Sequence, residues 1–344
     1  MSVPLHLHVG HEQTGSSWLQ AALRGAREGL RAHGLDYPQG REPAHLGPAD
    51  ISSGNGAGAL ESERALAAAL AGCDAAAPRG ALLSSEWLFR EIEAQADLAF
   101  LPRLAGAAGF GPVRVLLLIR DPLDHAASAY QQALKRGGET GDAAAFFRAF
   151  RFPERVEAAL ARLEAAGVET TVRNFSRHRG DLLAVMRDWL DLPEKALPPP
   201  PAARVNRSLT AAERELQRAL NAALGRGGAL LADALCQRLP DVAPEAAAPA
   251  REAQEETRAR LAPAVARVNA RLPEAERWRC EIRDAAPRAD DLALSREQLR
   301  VIAETLGGEI ARLRADLADP ARAVGVRKLA AALLRRAARR LGGG

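Results

Sequence analysis

The chain opens on an alternation of apolar and polar residues that predicts a β-strand. Leu5, Leu7 and Val9 are apolar and the histidines between them are polar, which is the two-residue period of a strand. A glycine-containing turn follows, and then a helical pattern over about residues 17–32. The chain therefore begins with a strand, a turn and a helix.

Three more apolar runs predict further strands, and helical patterns separate or follow them. The strands are expected at Gly80–Ser84, Val113–Ile119 and Val168–Val172. The helices are expected at Pro122–Lys135, Pro153–Ala166 and Asp181–Leu190. The second of these strands has a single polar residue, Arg114, as is typical of a parallel strand that is buried on both faces.

Strands that alternate with helices over the first 190 residues predict an α/β fold, a three-layer core with a parallel sheet flanked by helices. The prolines Pro198–Pro201 break the chain, and mostly helices follow. Thr210 and Glu213 have the spacing of a capping box at the start of one of them. We expect one α/β domain over residues 1–320, with its core at 1–195 and a helical portion at 202–320, and a tail at 321–344.

Composition excludes several classes of protein. The 344 residues are 47% hydrophobic and 26% charged, and no apolar run is long enough for a membrane helix. Three widely spaced cysteines fit neither a disulfide framework nor a zinc site, so we expect no metal. The first ten residues lack the pattern of a secretory signal, so we expect a cytoplasmic protein. Aromatic residues are only 4% of the chain, which disfavours a nucleic-acid partner.

The basic character of the chain is confined to its tail. After Asp319 there are seven cations and no acid, and removing those seven from the net charge of +4 leaves −3 for residues 1–319. Leucines at roughly helical spacing lie among these cations, a pattern typical of an amphipathic helix on an anionic membrane surface. A solvated helix end docked on its own domain is the favoured interpretation of the tail, and peripheral membrane contact is the alternative.

The turn after the first strand predicts an anion site. Gly10 and Gly15 have the spacing of a P-loop, and the start of the following helix offers unpaired N–H groups and the positive end of a dipole. Ser16 stands where the P-loop lysine is expected, which disfavours an ATPase or GTPase. A glycine turn that caps a core helix is the structural alternative.

A second anion site is expected on a neighbouring strand. Arg120 leaves the strand Val113–Ile119, and Ser128 follows eight residues later in the next helix. An arginine at a strand end and a serine on the adjoining helix can meet at one phosphate at the carboxyl edge of the sheet.

With these two motifs, the chain resembles the sulfotransferases that use 3′-phosphoadenosine-5′-phosphosulfate (PAPS). Phrases such as Ser84-Ser85-Glu86 and Ser128-Ala-Tyr130-Gln131-Gln132 look like the bacterial branch of that family. The resemblance covers about residues 5–225. It implies a P-loop-like fold in which Arg120 and Ser128 hold the 3′-phosphate. It also implies that the loop holds the 5′-phosphosulfate through Gln13, Thr14, Gly15, Ser16 and Ser17.

The loop departs from the family pattern at Gln13, where the family usually has lysine. That lysine donates to the oxygen on which negative charge develops as the sulfuryl group leaves. Glutamine keeps an N–H donor and loses the positive charge. Gln13 is therefore a candidate catalytic residue of a slow or otherwise compensated enzyme, and it also keeps open a non-catalytic protein that binds PAPS or another nucleotide.

The transfer also needs a base that takes the proton of the acceptor. Glu86 is the first candidate, because it follows a strand expected beside the first one. Its structural alternative is an acid that stabilises a helix N-terminus. His8 and His11, which flank the start of the loop, are rival bases, and Glu12 is a third candidate.

The resemblance implies further residues that bind the nucleotide. Trp18 stands where cytosolic family members stack an aromatic ring on adenine, although a core position is the alternative. Arg204 and Arg207 resemble a late segment that folds back and adds a cation near the 3′-phosphate.

We thus expect a PAPS-dependent sulfotransferase that acts without a metal on a hydroxyl or amine of a small molecule or glycan. Carbohydrate, lipid and small-metabolite acceptors all stay open. The alternatives are the non-catalytic nucleotide-binding protein and a P-loop kinase of small molecules, which the missing loop lysine disfavours.

Overall fold

The computed structural model describes residues 2–40, 53–200, 207–224, 229–245, 247–285 and 292–318. Arg204 and the tail at 321–344 lie outside the described residues, so the expectations for them are not addressed by the fold.

Four parallel strands form the sheet, in the order β2-β1-β3-β4. Their bounds are β1 Val3–Gly10, β2 Ala81–Ser85, β3 Phe110–Ile119 and β4 Glu169–Asn174. All four predicted strands are present, and the α/β class is confirmed. Because the strands are parallel, their carboxyl ends lie at one edge of the sheet.

Ten α-helices belong to the described part of the first 195 residues. They are α1 Ser16–Gly25, α2 Arg27–Ala32, α3 Glu63–Leu70, α4 Trp87–Ala94, α5 Phe100–Ala107, α6 Pro122–Gln132, α7 Ala143–Ala149, α8 Phe152–Ala165, α9 Phe175–His178 and α10 Leu182–Leu190. Four helices follow in the C-terminal portion that the structure describes: α11 Ala211–Leu224, α12 Ala229–Arg238, α13 Arg251–Asn269 and α14 Arg296–Ala318.

The two faces of the sheet are covered by different helices, which gives the three predicted layers. Leu5, Leu7 and Val9 of β1 belong to a buried cluster that includes apolar residues of α3 to α8. On the opposite face, Leu116 and Leu118 of β3 pack with apolar residues of α1, α2, α9 and α10. Since both faces are covered, the polar residues of β1 are also buried.

Helix boundaries differ from the sequence prediction in two places. The helix expected over about residues 17–32 is divided at Ala26, whose backbone leaves the helical region with φ −97° and ψ 8°. The helix that begins at Pro122 keeps its α-helical form to Gln132 and continues as a π-helical turn over Ala133–Gly137.

The C-terminal portion is helical as predicted, and it shares the core of the sheet. Leu261 and Val268 of α13 belong to the same buried cluster as the β1 leucines. The predicted capping box is confirmed, because the Glu213 backbone N–H donates to Thr210 Oγ1 and the Thr210 backbone N–H donates to the Glu213 carboxylate.

A buried carboxylate joins the carboxyl edge of the sheet to this C-terminal portion. Asp121, only 4% exposed, directly precedes α6. It accepts hydrogen bonds from the Asn174 side chain at 2.9 Å, from Arg177 at 3.0 Å and from the Arg279 backbone N–H at 3.0 Å. The ends of β3 and β4 are therefore fixed to each other and to residues near position 279.

Replacement of Asp121 is expected to destabilise the fold. Asp121→Ala leaves the Arg177 guanidinium and two N–H donors without their acceptor, which should lower the free energy of unfolding by about 2–4 kcal/mol. Asp188→Ala, at an exposed aspartate of α10, is the matched control and should change it by less than about 0.5 kcal/mol. Denaturant titration measures both, and equal losses in the two variants would contradict the role of Asp121.

Candidate functional site

The backbone of the loop between β1 and α1 requires glycine at two positions, Gly10 and Gly15. A Cβ on Gly10 would lie 1.8 Å from Ser16 Oγ, so only glycine fits there. Gly15 has φ 78°, and a Cβ there would also lie 2.7 Å from the Leu182 side chain. Gln13 adopts φ 69°, a left-handed conformation that is unusual for a residue other than glycine.

The loop and the start of α1 contain three small hydroxyl residues, two of them buried and one half-buried. Thr14 and Ser16 are buried; the Thr14 hydroxyl donates to the His11 carbonyl at 2.7 Å, and its Oγ1 lies 3.2 Å from Ser16 Oγ. These two side chains shape the loop from inside, so a ligand would meet them mainly through their backbone N–H groups. Ser17 is half-buried in the first turn of α1.

Arg120 and Ser128, far from the loop in sequence, both bind Gln13. The Arg120 guanidinium donates to the Gln13 carbonyl at 2.9 Å, and the Ser128 hydroxyl donates to the Gln13 side-chain oxygen at 2.9 Å. The structure thus brings together the two motifs that the sequence analysis assigned to one ligand.

Arg120 is held in place by a second contact. Its Nε donates to the Asp124 carboxylate at 2.8 Å, and Arg179 donates to the same carboxylate oxygen at 3.0 Å. Burial disfavours the charged form of Asp124, but the hydrogen bond from Arg120 and the surrounding guanidinium charges together hold the pKa of Asp124 below its ordinary value. Asp124 is therefore ionised at neutral pH and orients both arginines.

A cleft of about 370 Å³ opens beside the loop. Its lining includes Trp18 of α1, Phe175 and Arg179 beyond β4, and Leu182 and Leu183. The Arg120 and Arg179 guanidiniums each lie 5.4 Å from the centroid of the Phe175 ring. Two aromatic rings and nearby cations suit a flat, anionic ligand such as a nucleotide.

Sequence analysis missed Phe175 and Arg179. Phe175 directly follows Asn174, the last residue of β4, and a residue at the carboxyl end of a parallel strand is a candidate for ligand contact. That positional signal was present, but the sequence alone does not show that β4 lies next to β3.

Glu86 lies at the same edge of the sheet. It follows β2, whereas Arg120 follows β3, on the opposite side of β1. Glu86 comes directly after Ser85, which pairs with Val9 near the end of β1, and it is half-buried. Burial and the nearby charge of Glu12 raise the pKa of Glu86, while Arg90 opposes the shift. A carboxylate with a raised pKa is a stronger base, so the environment suits proton abstraction.

The two histidines have surroundings that suit a base less well. His8 is fully buried, with Nδ1 2.8 Å from Ser84 Oγ, and burial lowers its pKa to about 4. His11 donates from Nδ1 to the Glu12 carbonyl at 2.7 Å and stacks on His125, with 4.3 Å between ring centroids. Burial lowers the pKa of His11 to about 3. Both rings are neutral, weakly basic packing groups at pH 7, so Glu86 is the best-placed of the three.

Arg207 has partners in the helical portion. Two nitrogens of its guanidinium donate to the Glu213 carboxylate at 2.7 Å each, and its Nε donates to the Leu239 carbonyl at 2.7 Å. The side chain is buried. Arg207 is therefore committed to the cap of α11, and the geometry does not support its expected contact with a nucleotide.

Neither a metal site nor a membrane-spanning helix is present in the ranges that the structure describes. No three histidine, cysteine, aspartate or glutamate side chains of the described residues are grouped so as to hold a metal ion. Within those ranges, every helix is too short or too polar to cross a membrane.

Comparison with known proteins does not assign the chain to a family. No protein-family model, no curated protein and no solved structure matches it. The interpretation of this edge of the sheet therefore depends on the chemistry of its own residues.

The buried His11 is expected to make stability depend on pH. Its pKa is about 3 in the folded chain and about 6.5 when unfolded, so the unfolded chain binds the proton more tightly between these values. The contribution of neutral His11 to the free energy of unfolding is then at its full value above about pH 6.5, and it is lost as the pH falls. Between pH 7 and pH 5, the free energy of unfolding of His11→Phe should therefore decrease by about 2 kcal/mol less than that of the wild type.

Denaturant titrations at the two pH values measure this difference. His33→Gln, at an exposed histidine, is the control and should keep the wild-type dependence. If His11→Phe loses as much stability as the wild type on acidification, His11 is not a buried neutral group.

Proposed function

We propose that the chain is a PAPS-dependent sulfotransferase that moves a sulfuryl group to a hydroxyl or amine of an acceptor. The observation that carries the proposal is the convergence of Arg120 and Ser128 on Gln13 of the loop. Pairing of the strands does not by itself require Arg120, which follows β3, and Ser128 of α6 to contact the loop after β1. A ligand with two separated anionic groups could bind the loop and Arg120 with Ser128 at the same time.

The donor fits the arrangement in three parts. The 5′-phosphosulfate would lie on the loop at the N-terminus of α1, where backbone N–H groups and the helix dipole favour an anion. The 3′-phosphate would bind Arg120 and the Ser128 hydroxyl, which would exchange its bond to Gln13 for one to the phosphate. The adenine ring would enter the cleft between Trp18 and Phe175.

The proposed transfer uses Glu86 as the base and the loop as the site of the leaving phosphate. The acceptor oxygen or nitrogen attacks the sulfur in line, a bond from that atom to sulfur forms, and the bond from sulfur to the 5′-phosphate oxygen breaks. The acceptor proton passes to the Glu86 carboxylate. The charge that develops on the leaving phosphate is stabilised by N–H donors of the loop, to which Gln13 can add a neutral one.

A second candidate function is supported by one specific contact. Gln13 replaces the family's lysine, and its side-chain oxygen is already bonded to Ser128. A protein that binds the nucleotide without transferring the sulfuryl group would tolerate this substitution. A P-loop kinase is favoured less, because Ser16 occupies the position of the lysine that would hold the β- and γ-phosphates.

Donor binding tests the proposal directly. Isothermal titration calorimetry with 3′-phosphoadenosine 5′-phosphate should show binding to the wild type, and ATP with Mg²⁺ should bind more weakly. Arg120→Ala should weaken 3′-phosphoadenosine 5′-phosphate by about 10- to 100-fold, since a charge-assisted contact is lost. Binding of adenosine 5′-phosphosulfate, which lacks the 3′-phosphate, should weaken much less, because it loses only the support that Arg120 gives to the Gln13 carbonyl of the loop.

The matched control is Arg103→Ala, at an exposed arginine of α5 paired with Glu63, which should bind both nucleotides as the wild type does. Equal losses for the two nucleotides in Arg120→Ala would contradict the assignment of the 3′-phosphate. Preference of the wild type for ATP would favour the kinase.

Glu86→Gln tests the base. The variant should lose at least about 100-fold in turnover, measured as radiolabelled sulfate released or transferred from PAPS, while its affinity for 3′-phosphoadenosine 5′-phosphate stays unchanged. The wild-type rate should rise with pH as Glu86 ionises, with a midpoint above the ordinary carboxylate pKa because burial raises that pKa. The residual rate of the variant should lack this rise.

Glu252→Gln, at an exposed acid of α13, serves as the control with unchanged turnover. Full activity in Glu86→Gln would return the role of base to His8, His11 or Glu12. A wild type that binds the nucleotide tightly but never consumes PAPS would favour the non-catalytic alternative.

A further inference from the structure

An exposed tryptophan stands directly beside the proposed base. Trp87 is the first residue of α4 and is 46% exposed, and it is the one aromatic ring among the large exposed apolar side chains that the structure describes. Its backbone N–H donates to Ser85 Oγ at 3.0 Å, and the Ser85 hydroxyl donates to the Ser53 carbonyl at 2.5 Å. The backbone of Trp87 is thus fixed while its ring faces solvent.

Charged groups surround the exposed ring. The Arg90 guanidinium lies 5.9 Å from the ring centroid and forms an ion pair with Glu12 of the loop. Glu12 and Arg90 also act on the Glu86 carboxyl, since both influence its pKa. The ring, two carboxyl groups and one guanidinium therefore lie on one surface, at the carboxyl edge of the sheet. We call Glu12, Glu86, Trp87 and Arg90 the acceptor face.

We infer that the acceptor face binds a neutral saccharide, one hydroxyl of which receives the sulfuryl group. This inference rests on the proposed sulfotransferase function. The C–H groups on one side of a pyranose ring make an apolar surface that can stack on an indole. The hydroxyls around that ring both donate and accept hydrogen bonds, so carboxylates and a guanidinium can bind them side by side.

The charges of this face favour a neutral ligand over an anionic one. Glu12 and Glu86 are two acids against the single cation Arg90. The nearby Arg155 is paired with Glu93 at 2.6 Å, so that pair adds no net charge. A polysulfated or polyanionic glycan would meet no excess of positive charge here.

The same surface is a poor match for an apolar acceptor. A phenol or lipid gains affinity from burial between several apolar walls, whereas the neighbours of the Trp87 ring include Glu86 and Arg90, both charged. One aromatic surface flanked by polar groups supplies stacking on one side and hydrogen bonds at the edges, which is the pattern that a sugar ring needs.

Saturation-transfer NMR on the full chain tests the inference. The probes are neutral tetra- to hexasaccharides of glucose, galactose, mannose and N-acetylglucosamine, with a heparin-derived hexasaccharide and 4-nitrophenol as competing classes. We expect at least one neutral saccharide to bind. Trp87→Ala should weaken it by about tenfold or more and Trp87→Phe by less, since stacking is lost in the first and reduced in the second.

Leu299→Ala, at an exposed apolar residue of α14, is the matched control and should bind the saccharide as the wild type does. Calorimetry with 3′-phosphoadenosine 5′-phosphate separates the two proposals, because Trp87→Ala should bind this nucleotide normally. Normal nucleotide binding also shows that the variant is folded.

Three outcomes would overturn the inference: no neutral saccharide binds, the saccharide binds Trp87→Ala unchanged, or only heparin or 4-nitrophenol binds in a way that depends on Trp87. Each of these leaves the proposed sulfotransferase intact if the nucleotide binds. Saccharide binding that depends on Trp87 in a chain that binds no nucleotide would instead retain the saccharide site and remove the transfer reaction.

Discussion

Parallel pairing of β1 between β2 and β3 is the constraint on which the rest of the structure depends. It places the ends of three strands at one edge of the sheet, so that the loop after Gly10, Glu86 after β2 and Arg120 after β3 become neighbours. Residues more than 100 positions apart then act on one another, as Arg120 does on Gln13. The pairing of the strand backbones is thus sufficient to bring these three strand ends together, and the side-chain contacts add to it.

Beneath that edge, buried polar groups hold the loops in position. Asp121, Asn174 and Glu276 form one hydrogen-bonded group, and the Asn174 backbone N–H donates to Glu276 at 2.7 Å. His11 and His125 stack within an aromatic cluster under the loop. Because unpaired polar groups are costly in a core, the hydrogen bonds among Asp121, Asn174 and Glu276 restrict the conformations that the edge can adopt.

Local patterns in the sequence were sufficient to predict much of the fold. The strands were found to within a few residues, since apolar runs and β-branched residues mark them directly, and the Thr210–Glu213 cap was found from its spacing. The sequence motifs also singled out Gln13, Arg120 and Ser128, which the structure brings into contact. These sequence patterns depend on residues that are close together in the chain.

Features that depend on distant contacts were not predictable. Phe175 lines the cleft because β4 lies beside β3. The role of Arg207 depends on the positions of Glu213 and the Leu239 carbonyl in the folded chain. The burial of His8 and His11 depends on helices that cover both faces of the sheet. A single sequence records none of these distances.

The bond between Asp121 and the Arg279 backbone has a consequence for the order in which the chain can fold. It joins residues 158 positions apart, so the carboxyl edge of the sheet is completed only after most of the chain has been synthesised. Contacts of such long range slow folding, because a large loop must close before they form. This bond and the shared buried cluster join the core at 1–195 to the C-terminal portion. Until α13 and the segment after it arrive, a nascent chain would carry Asp121 and the Asn174 N–H without two of their native partners.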